Sequence, residues 1–309
     1  MAVVLTRMRI DATTRMYVAG CGGMLGDAVY EHFAPIADVR AADIDVNEDW
    51  LAYGDVRDYE AIERQIADFR PHVIINLAAM TDLEECERES ERAWATNALG
   101  AENLGLLATK YDATYVYVST AGIFDGRKDV YSDYDTPNPA GCYAASKYYG
   151  ECYVRQSVGK HFVIRGGWMM GGGPRKDKKF INKIYRQLAA GKRTLHVVDD
   201  RRGTPTYTID FARGIHRLLE SELYGLYNQG GGDGGSRYDV AVEFVRLLVL
   251  TRTVTIERVT SDFFAQEYLA VRPASERLIN AKLDARGLNV MRDWRVCLAE
   301  YVRRFPPVE

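Results

Sequence analysis

Several features that define other protein classes are scarce in this 309-residue chain. It has only five cysteines, which are scattered and include no CxxC pair, so we expect reduced thiols and neither a disulfide framework nor a metal site. No apolar run reaches the roughly 18–20 residues that span a bilayer, and residues 1–15 carry too many charges for a secretory signal. We therefore expect a cytoplasmic protein without a membrane segment.

The chain also lacks an excess of positive charge. The formal net charge is −3, and no sustained basic stripe runs along the chain, which argues against nucleic acid as a partner. The densest basic cluster is Arg175-Lys176-Asp177-Lys178-Lys179. We interpret this cluster as a solvated loop, with an anion-binding site as the alternative.

The pattern of apolar and helical segments indicates the fold class. Apolar, β-branched or aromatic runs at 16–20, 38–44, 73–77, 114–119 and 161–165 alternate with segments of helical periodicity at 24–33, 58–69, 90–110 and 142–157. This alternation predicts an α/β fold with a doubly wound parallel sheet, the Rossmann architecture. We divide the chain into an N-terminal extension (1–15), a dinucleotide-binding domain (16–166) and a mostly substrate-binding lobe (167–309). The lobe is expected to be smaller and interleaved with the last strands of the sheet.

A glycine-rich turn follows the first predicted strand and opens the first predicted helix. It reads Gly20-Cys21-Gly22-Gly23-Met24-Leu25-Gly26, with GxxGxxG spacing. Glycines in this context permit a tight turn and let the backbone approach a pyrophosphate, whose charge is stabilised at the helix N-terminus. We expect Gly20, Gly23, Met24, Leu25 and Gly26 to contact the cofactor.

Other cofactor contacts are expected downstream of this turn. An acidic residue about 20 positions on should bind the adenosine ribose, and both Asp43 and Asp45 qualify. The stretch from Asp43 to Asp49 contains several carboxylates and no Lys or Arg, so within NAD(P)H we expect NADH to be favoured. Contacts near the adenine and the ribose are expected from Asp55, Val56, Leu77, Ala78 and Ala79.

The candidate catalytic residues are Thr120, Tyr143 and Lys147. Tyr143 and Lys147 are four residues apart on a predicted helix, so their side chains share one face. An unperturbed phenol has a pKa of about 10, and we expect the nearby ammonium of Lys147 to lower it so that Tyr143 can deliver a proton. Lys147 can also bind the nicotinamide ribose, while the hydroxyl of Thr120 orients the substrate oxygen. Tyr143 and Lys147 thus serve both the cofactor and the chemistry.

These residues resemble those of the extended short-chain dehydrogenase/reductases, and more narrowly of the dTDP-4-dehydrorhamnose reductase family. The resemblance spans roughly residues 16–303. Besides the glycine turn and Tyr143 to Lys147, it is carried by residues 76–82, Cys86-Glu87, residues 119–126, Gly150-Glu151, residues 165–168, residues 200–206, Arg272-Pro273 and Arg277-Leu278.

The resemblance implies reduction of the 4-keto group of a 6-deoxy sugar carried on a nucleoside diphosphate. It also implies substrate contacts from Thr120, Tyr143, Trp168 and Arg272, although a core position would equally explain Trp168. A homodimer is compatible with the sequence. The chain departs from the family pattern at three places: Thr120-Ala121-Gly122 replaces Thr-Asp-Tyr, Arg165-Gly166-Gly167-Trp168 replaces Arg-Thr-Ser-Trp, and Glu276 replaces a serine. All three departures lie on the expected substrate side.

Two other functions remain open at this point. A nucleotide-sugar 4-epimerase would use the same tyrosine and lysine but would keep its NAD bound through each turnover. A non-catalytic regulatory subunit, like that of methionine adenosyltransferase, would keep the fold and bind nucleotide without turnover. A 4,6-dehydratase is disfavoured, because Ala121 and Gly122 cannot supply the extra acid and base groups that dehydration needs.

Overall fold

A computed structural model describes residues 8–266 and 268–308. Its strands are β1 Arg15–Ala19, β2 Asp38–Asp43, β3 Leu51–Tyr53, β4 Val73–Asn76, β5 Thr114–Thr120, β6 His161–Gly166, β7 Trp168–Met170, β8 Thr194–Val198, β9 Arg202–Gly203, β10 Pro205–Tyr207, β11 Gly225–Asn228, β12 Gly235–Ser236 and β13 Thr255–Val259. Of the N-terminal extension expected over 1–15, residues 1–7 lie outside the described residues.

The helices alternate with these strands through the first half of the chain. They are α1 Met24–Phe33, α2 Tyr59–Phe69, α3 Leu83–Arg88, α4 Ser90–Trp94, α5 Gly100–Lys110, α6 Cys142–Ser157, α7 Gly173–Lys176, α8 Phe180–Ala189, α9 Thr208–Ser221, α10 Arg237–Leu247, α11 Ala281–Ala285 and α12 Trp294–Tyr301. A π-helical segment, Ala95–Leu99, joins α4 to α5, and short 3₁₀ turns occur at Ala121–Ile123, Ser261–Phe264 and Val302–Arg304.

The main sheet has seven parallel strands in the order β11-β6-β5-β4-β1-β2-β3. This arrangement confirms the predicted doubly wound α/β fold. The strand order reverses between β1 and β4, so the connections leave the sheet in opposite directions there. Such a switch point opens a crevice at the carboxyl ends of the strands, where ligands bind in open α/β sheets.

Helices cover both faces of the sheet. Val29 on α1 and Phe211, Ile215 and Leu218 on α9 are buried against one face. On the other face the buried contacts come from three helices, through Ile62 and Ile66 on α2, Leu104 and Leu107 on α5, and Val154 on α6. Burial on both sides explains why the central strands are almost continuously apolar rather than alternating; all four residues of β4 are buried.

A third hydrophobic cluster lies in the C-terminal part of the chain. Residues such as Ile184 on α8, Phe244 on α10 and Leu298 on α12 pack there around the β8–β13 pair. In contrast, β11 lies at the edge of the main sheet and α9 packs on its face. The second half of the chain therefore contributes both to this C-terminal cluster and to the main sheet with its covering helices.

Two local features differ from the predicted elements. The short strand β3 was not predicted, and the single helix expected over 90–110 is divided by the π-helical segment. π-bulges inside helices are frequent at functional sites. Here the bulge contains the buried Asn97, whose side-chain amide bonds the backbone N–H and C=O of Met80 at 2.9 and 3.1 Å.

A buried ion pair joins α6 to the sheet. The carboxylate of Glu151 accepts hydrogen bonds from Arg165 Nε at 3.0 Å and from the hydroxyl of Ser119 at 2.9 Å. Both charged side chains are essentially inaccessible to solvent. A buried ion that loses its partner is strongly destabilising, since its desolvation is no longer compensated.

We therefore expect Arg165→Met to lower the free energy of unfolding by about 3 kcal/mol or more, measured by urea denaturation. The matched control is Arg246→Met, which removes an exposed pair with Glu243 and should cost less than about 1 kcal/mol. Equal losses in the two variants would contradict a structural role for the buried pair.

Candidate active site

A cleft of about 790 Å³ opens at the carboxyl ends of the central strands. It is lined by every residue that the sequence assigned to the cofactor or to catalysis: Gly20, Gly23, Met24, Leu25, Gly26, Asp43, Asp45, Asp55, Val56, Leu77, Ala78, Ala79, Thr120, Tyr143 and Lys147. The tertiary fold thus brings into one cavity residues that are more than a hundred positions apart in the chain.

The glycine turn has the shape that a pyrophosphate requires. Gly20 has a φ of +76°, and a Cβ there would lie 2.2 Å from the backbone nitrogen of Ala78, so only glycine fits. At Gly23, in contrast, no atom lies within 4 Å of the Cβ position. Helix α1 starts there without a side-chain cap, which leaves N–H groups of its first turn available to an anion. These residues fit a dinucleotide cofactor.

The structure distinguishes the two candidate ribose-binding aspartates. Asp43 ends β2, and its carboxylate accepts hydrogen bonds from the N–H of Gly22 at 2.8 Å and of Asp45 at 2.9 Å. Asp45 is exposed, and its side chain bonds only Asn47. Asp43 is therefore fixed against the glycine turn, as expected of a group that binds the adenosine ribose.

The basic cluster at 175–179 is not a fully solvated loop, and that interpretation is wrong for Lys176. The Lys176 side chain is 4% exposed and forms ion pairs of 2.9 Å with both Asp27 and Glu48. Arg175 also binds Glu48. Arg175 and Lys176 both line the cleft, but the positive charges of their side chains are neutralised by carboxylates.

A further wall of the cleft, directly beside the glycine turn, is formed by the segment after β4, whose Ala78 backbone packs against Gly20. Leu77, Ala78 and Ala79 follow β4, and the N–H of Ala78 is bonded to the side-chain oxygen of Asn76 at 3.0 Å. Small side chains here leave the backbone accessible from the cleft. Next to this wall, Asp55 forms a close ion pair with Arg57.

Thr120, Tyr143 and Lys147 meet at the end of β5. Thr120 ends that strand, and Tyr143 and Lys147 lie one turn apart on α6. The ammonium of Lys147 donates to the carbonyl of Val118 at 2.8 Å and lies 4.2 Å from the centre of the Tyr117 ring. The lysine is therefore anchored to the same strand that carries Thr120.

The pKa of Tyr143 differs from the one that the sequence predicts, and the pKa of Lys147 is shifted as well. Burial raises the pKa of Tyr143 to about 12, although the hydrogen bond with Thr120 opposes this shift. Burial also lowers the pKa of Lys147 to about 7, opposed by the charge of Glu151. The expected lowering of the Tyr143 pKa by Lys147 is therefore absent here: exclusion of water from the phenolate raises this pKa, and the opposing contribution comes from Thr120.

Three polar contacts that the sequence analysis missed hold α6 in place. The Glu87 carboxylate accepts a hydrogen bond from the N–H of Cys142 at 2.7 Å and so caps the helix from outside. Asn97 donates to the hydroxyl of Ser146 at 3.1 Å, and the hydroxyl of Tyr117 donates to the carbonyl of Lys147 at 3.0 Å. No sequence signal indicated these pairs, since each joins residues that are 30 to 55 positions apart.

Trp168 and Arg272 do not line the cofactor cleft. The Trp168 ring packs against Gly203 and lies 3.6 Å from the guanidinium of Arg237, and its indole N–H donates to Glu276 at 2.7 Å. Arg272 forms a 2.7 Å ion pair with Glu84.

Glu276, which likewise does not line the cleft, lies near Tyr143 across Gly122. Burial raises the pKa of Glu276, opposed by its hydrogen bond with Trp168 and the charges of Arg237 and Arg272, and Glu276 in turn contributes to the raised pKa of Tyr143.

Across residues 8–266 and 268–308 no group of three or more His, Cys, Asp or Glu side chains is arranged to hold a metal ion. In the same part of the chain no helix is both long and apolar enough to cross a membrane.

Comparisons with known proteins agree with this geometry. A dTDP-4-dehydrorhamnose reductase of Streptomyces griseus is 31% identical over 297 residues, covering 93% of this chain and 92% of that protein. Methionine adenosyltransferase 2 subunit beta of Danio rerio is 26% identical and covers 89% and 86%. The solved structure of dTDP-4-dehydrorhamnose reductase from Bacillus anthracis, in complex with NADP, superposes with a TM-score of 0.86 at 26% identity, covering 95% and 100%.

The family model described as the RmlD substrate binding domain matches residues 14–306, which is nearly the whole chain. The resemblance seen in the sequence motifs is thereby confirmed over the full fold. The chain belongs to the RmlD substrate-binding-domain family, the family of the dTDP-4-dehydrorhamnose reductases.

Proposed function

We propose that this protein reduces the 4-keto group of a 6-deoxy sugar linked to a nucleoside diphosphate, with NAD(P)H as the hydride donor. The observation that carries this proposal is the convergence of Thr120, Tyr143 and Lys147 in the same cleft as the glycine turn. A regulatory subunit that only binds nucleotide has no need of this set.

Each residue has a distinct role in the proposed reaction. A bound reduced nicotinamide supplies the hydride. Thr120 hydrogen-bonds the substrate carbonyl oxygen, and Tyr143 donates a proton to that oxygen as its negative charge develops. In the described structure Lys147 bonds the Val118 carbonyl, and in the complex it would bind the ribose next to the nicotinamide. Its charge would then favour the phenolate that Tyr143 becomes after it has donated its proton.

The proposed cofactor preference is for NADH. Asp43 lies at the glycine turn, and a 2′-phosphate beside its carboxylate would be repelled. Three cations that line the cleft are already engaged with carboxylates: Lys176 with Asp27 and Glu48, Arg175 with Glu48, and Arg57 with Asp55. A 2′-phosphate would have to compete with these carboxylates for its counter-charge.

We assign a separate role to each of the two parts of the molecule, the main sheet with its helices and the C-terminal lobe. The main sheet and its helices, mostly residues 16–166, hold the dinucleotide. The lobe, mostly residues 167–309, covers the sugar side of the cleft, with α9 and β11 as its contribution to the sheet layer.

Tyr143→Phe should lower the turnover number at least about 10²-fold, because the proton donor is lost. The dissociation constant for NADH should change little, since the phenol makes only a small contribution to cofactor binding. Turnover is measured by NADH oxidation with a 4-keto sugar, and affinity by fluorescence titration. Tyr149→Phe, an exposed position on the same helix, is the control. Full activity in Tyr143→Phe would favour the regulatory function.

Asp43→Ala should weaken NADH binding about tenfold, since a charged hydrogen-bond partner of the ribose is lost, and should narrow the preference over NADPH. Asp45→Ala should change both affinities much less, because this exposed side chain does not contact the glycine turn. Titration of the wild-type, Asp43→Ala and Asp45→Ala proteins with NADH and with NADPH measures these affinities. A wild-type preference for NADPH would refute the proposal about Asp43.

Reductase and epimerase differ in how they treat the cofactor. A reductase must release oxidised cofactor after each turnover, so protein purified without added nucleotide should contain little NAD. Each mole of sugar reduced should also consume one mole of NADH. Stoichiometric bound NAD, together with interconversion of sugars without net NADH consumption, would establish the epimerase instead.

A further inference from the structure

The side chain of Glu276, from the C-terminal part of the chain, lies next to Gly122 and close to Thr120 and Tyr143. Its backbone is held on both sides: the N–H of Glu276 bonds the carbonyl of Arg202 at 2.8 Å, and the N–H of Leu278 bonds the hydroxyl of Thr204 at 2.9 Å. The loop that carries the carboxylate is therefore fixed to the lobe rather than free in solvent.

The two oxygens of this carboxylate have different surroundings. Oε2 accepts the indole N–H of Trp168, whose ring is in turn packed between Gly203 and the guanidinium of Arg237. Oε1 accepts no hydrogen bond from any of the described residues, and it is not sealed from solvent either. The hydrogen bond to Oε2 therefore fixes the orientation of the carboxylate, and Oε1 remains free to accept a hydrogen bond.

The free oxygen faces the catalytic residues across Gly122. A Cβ on Gly122 would lie 3.2 Å from Oε1 of Glu276, 3.4 Å from the hydroxyl of Thr120 and 3.7 Å from the ring of Tyr143. These three groups thus surround one point, and that point is empty only because residue 122 is glycine. The two departures at positions 122 and 276 are complementary, since a larger residue at 122 would occupy the space beside Oε1.

The charges nearby indicate which kind of group this oxygen accepts. Arg237 lies against the Trp168 ring and interacts electrostatically with Glu276, so it already provides a counter-charge. The charge of Arg272 also acts on this carboxylate, so two cations already compensate it. A neutral hydrogen-bond donor therefore suits Oε1 better than an ammonium group, whose burial beside Arg237 would add a further desolvated positive charge.

We propose that Glu276 determines substrate specificity by accepting a hydrogen bond through Oε1 from a hydroxyl group on the sugar carbon next to the keto carbon. This proposal rests on the proposed function, because Thr120 and Tyr143 must hold the keto oxygen for the neighbouring hydroxyl to reach Oε1. The substrate class is then a nucleotide-linked 4-keto sugar with a free hydroxyl at the adjacent position.

The test compares three nucleotide-linked 4-keto-6-deoxy sugars that carry a hydroxyl, a hydrogen or an amino group on the carbon next to the ketone. With wild-type protein, the deoxy sugar should lose about tenfold or more in kcat/KM relative to the hydroxyl sugar, because the hydrogen bond to the charged acceptor Oε1 is lost. This comparison of substrates uses only the wild-type protein. A wild-type protein that does not distinguish hydroxyl from hydrogen, or that prefers the amino sugar, overturns the proposal.

Two variants test whether the side chain of Glu276 causes this discrimination between the hydroxyl sugar and the deoxy sugar. Glu276→Ser is too short to reach the substrate, so it should reduce kcat/KM for the hydroxyl sugar about tenfold, mainly through KM, while hardly changing the value for the deoxy sugar. Glu276→Gln keeps the bond from Trp168 and can still bind a hydroxyl, so its loss should be smaller. Glu63→Gln, which changes an exposed ion pair with Lys110, is the matched control. Unchanged discrimination in Glu276→Ser refutes the assignment.

A binding measurement separates this proposal from the proposed function. Calorimetric titration of wild-type and Glu276→Gln protein with each nucleotide sugar needs no turnover. If binding prefers the hydroxyl sugar through Glu276 but no cofactor is oxidised, the reductase function fails and the subsite stands. If the sugars are reduced but the variants retain the wild-type preference, the subsite fails and the function stands. Absence of sugar binding by wild-type protein overturns the subsite.

Discussion

The buried carboxylate of Glu151 binds two neighbouring strands from its place on helix α6. It bonds Ser119 at the end of β5 and Arg165 on β6, and both partners are buried with it. Lys147 lies one turn earlier on the same helix, so the position of the candidate catalytic lysine over the sheet depends on this contact. Because an unpaired charge in this environment costs several kcal/mol, the helix has one strongly favoured position. The convergence of the catalytic residues depends on that constraint.

The two sides of the cleft are built differently. On the cofactor side, close backbone packing at Gly20 and an uncapped start of α1 form a phosphate cradle whose shape tolerates little change. On the sugar side, Gly122 removes bulk and Glu276 adds a carboxylate at the same point. Because a side chain at position 122 would take up the space beside Oε1, the two residues together leave that space open and place a carboxylate next to it.

The residues that could be found from the sequence are those whose role depends on local chain geometry. A strand, a glycine turn and a helix are consecutive in the chain, and two residues four positions apart on a helix share a face whatever surrounds them. The glycine turn, Asp43, Tyr143 and Lys147 are of this kind, and the structure places all of them in one cleft. In contrast, the short β3 and the π-helical segment around Asn97 depend on partners elsewhere in the chain and were missed.

The sequence by itself determined the fold class, the family and the cofactor end of the site, because apolar periodicity and short motifs encode them within consecutive residues. Only the tertiary structure decided which aspartate contacts the glycine turn, that burial dominates the pKa of Tyr143, and that Glu276 lies opposite Gly122. Each of these depends on desolvation or on contacts between distant segments. Such contacts are set by the packing of the whole molecule, and no local pattern records them.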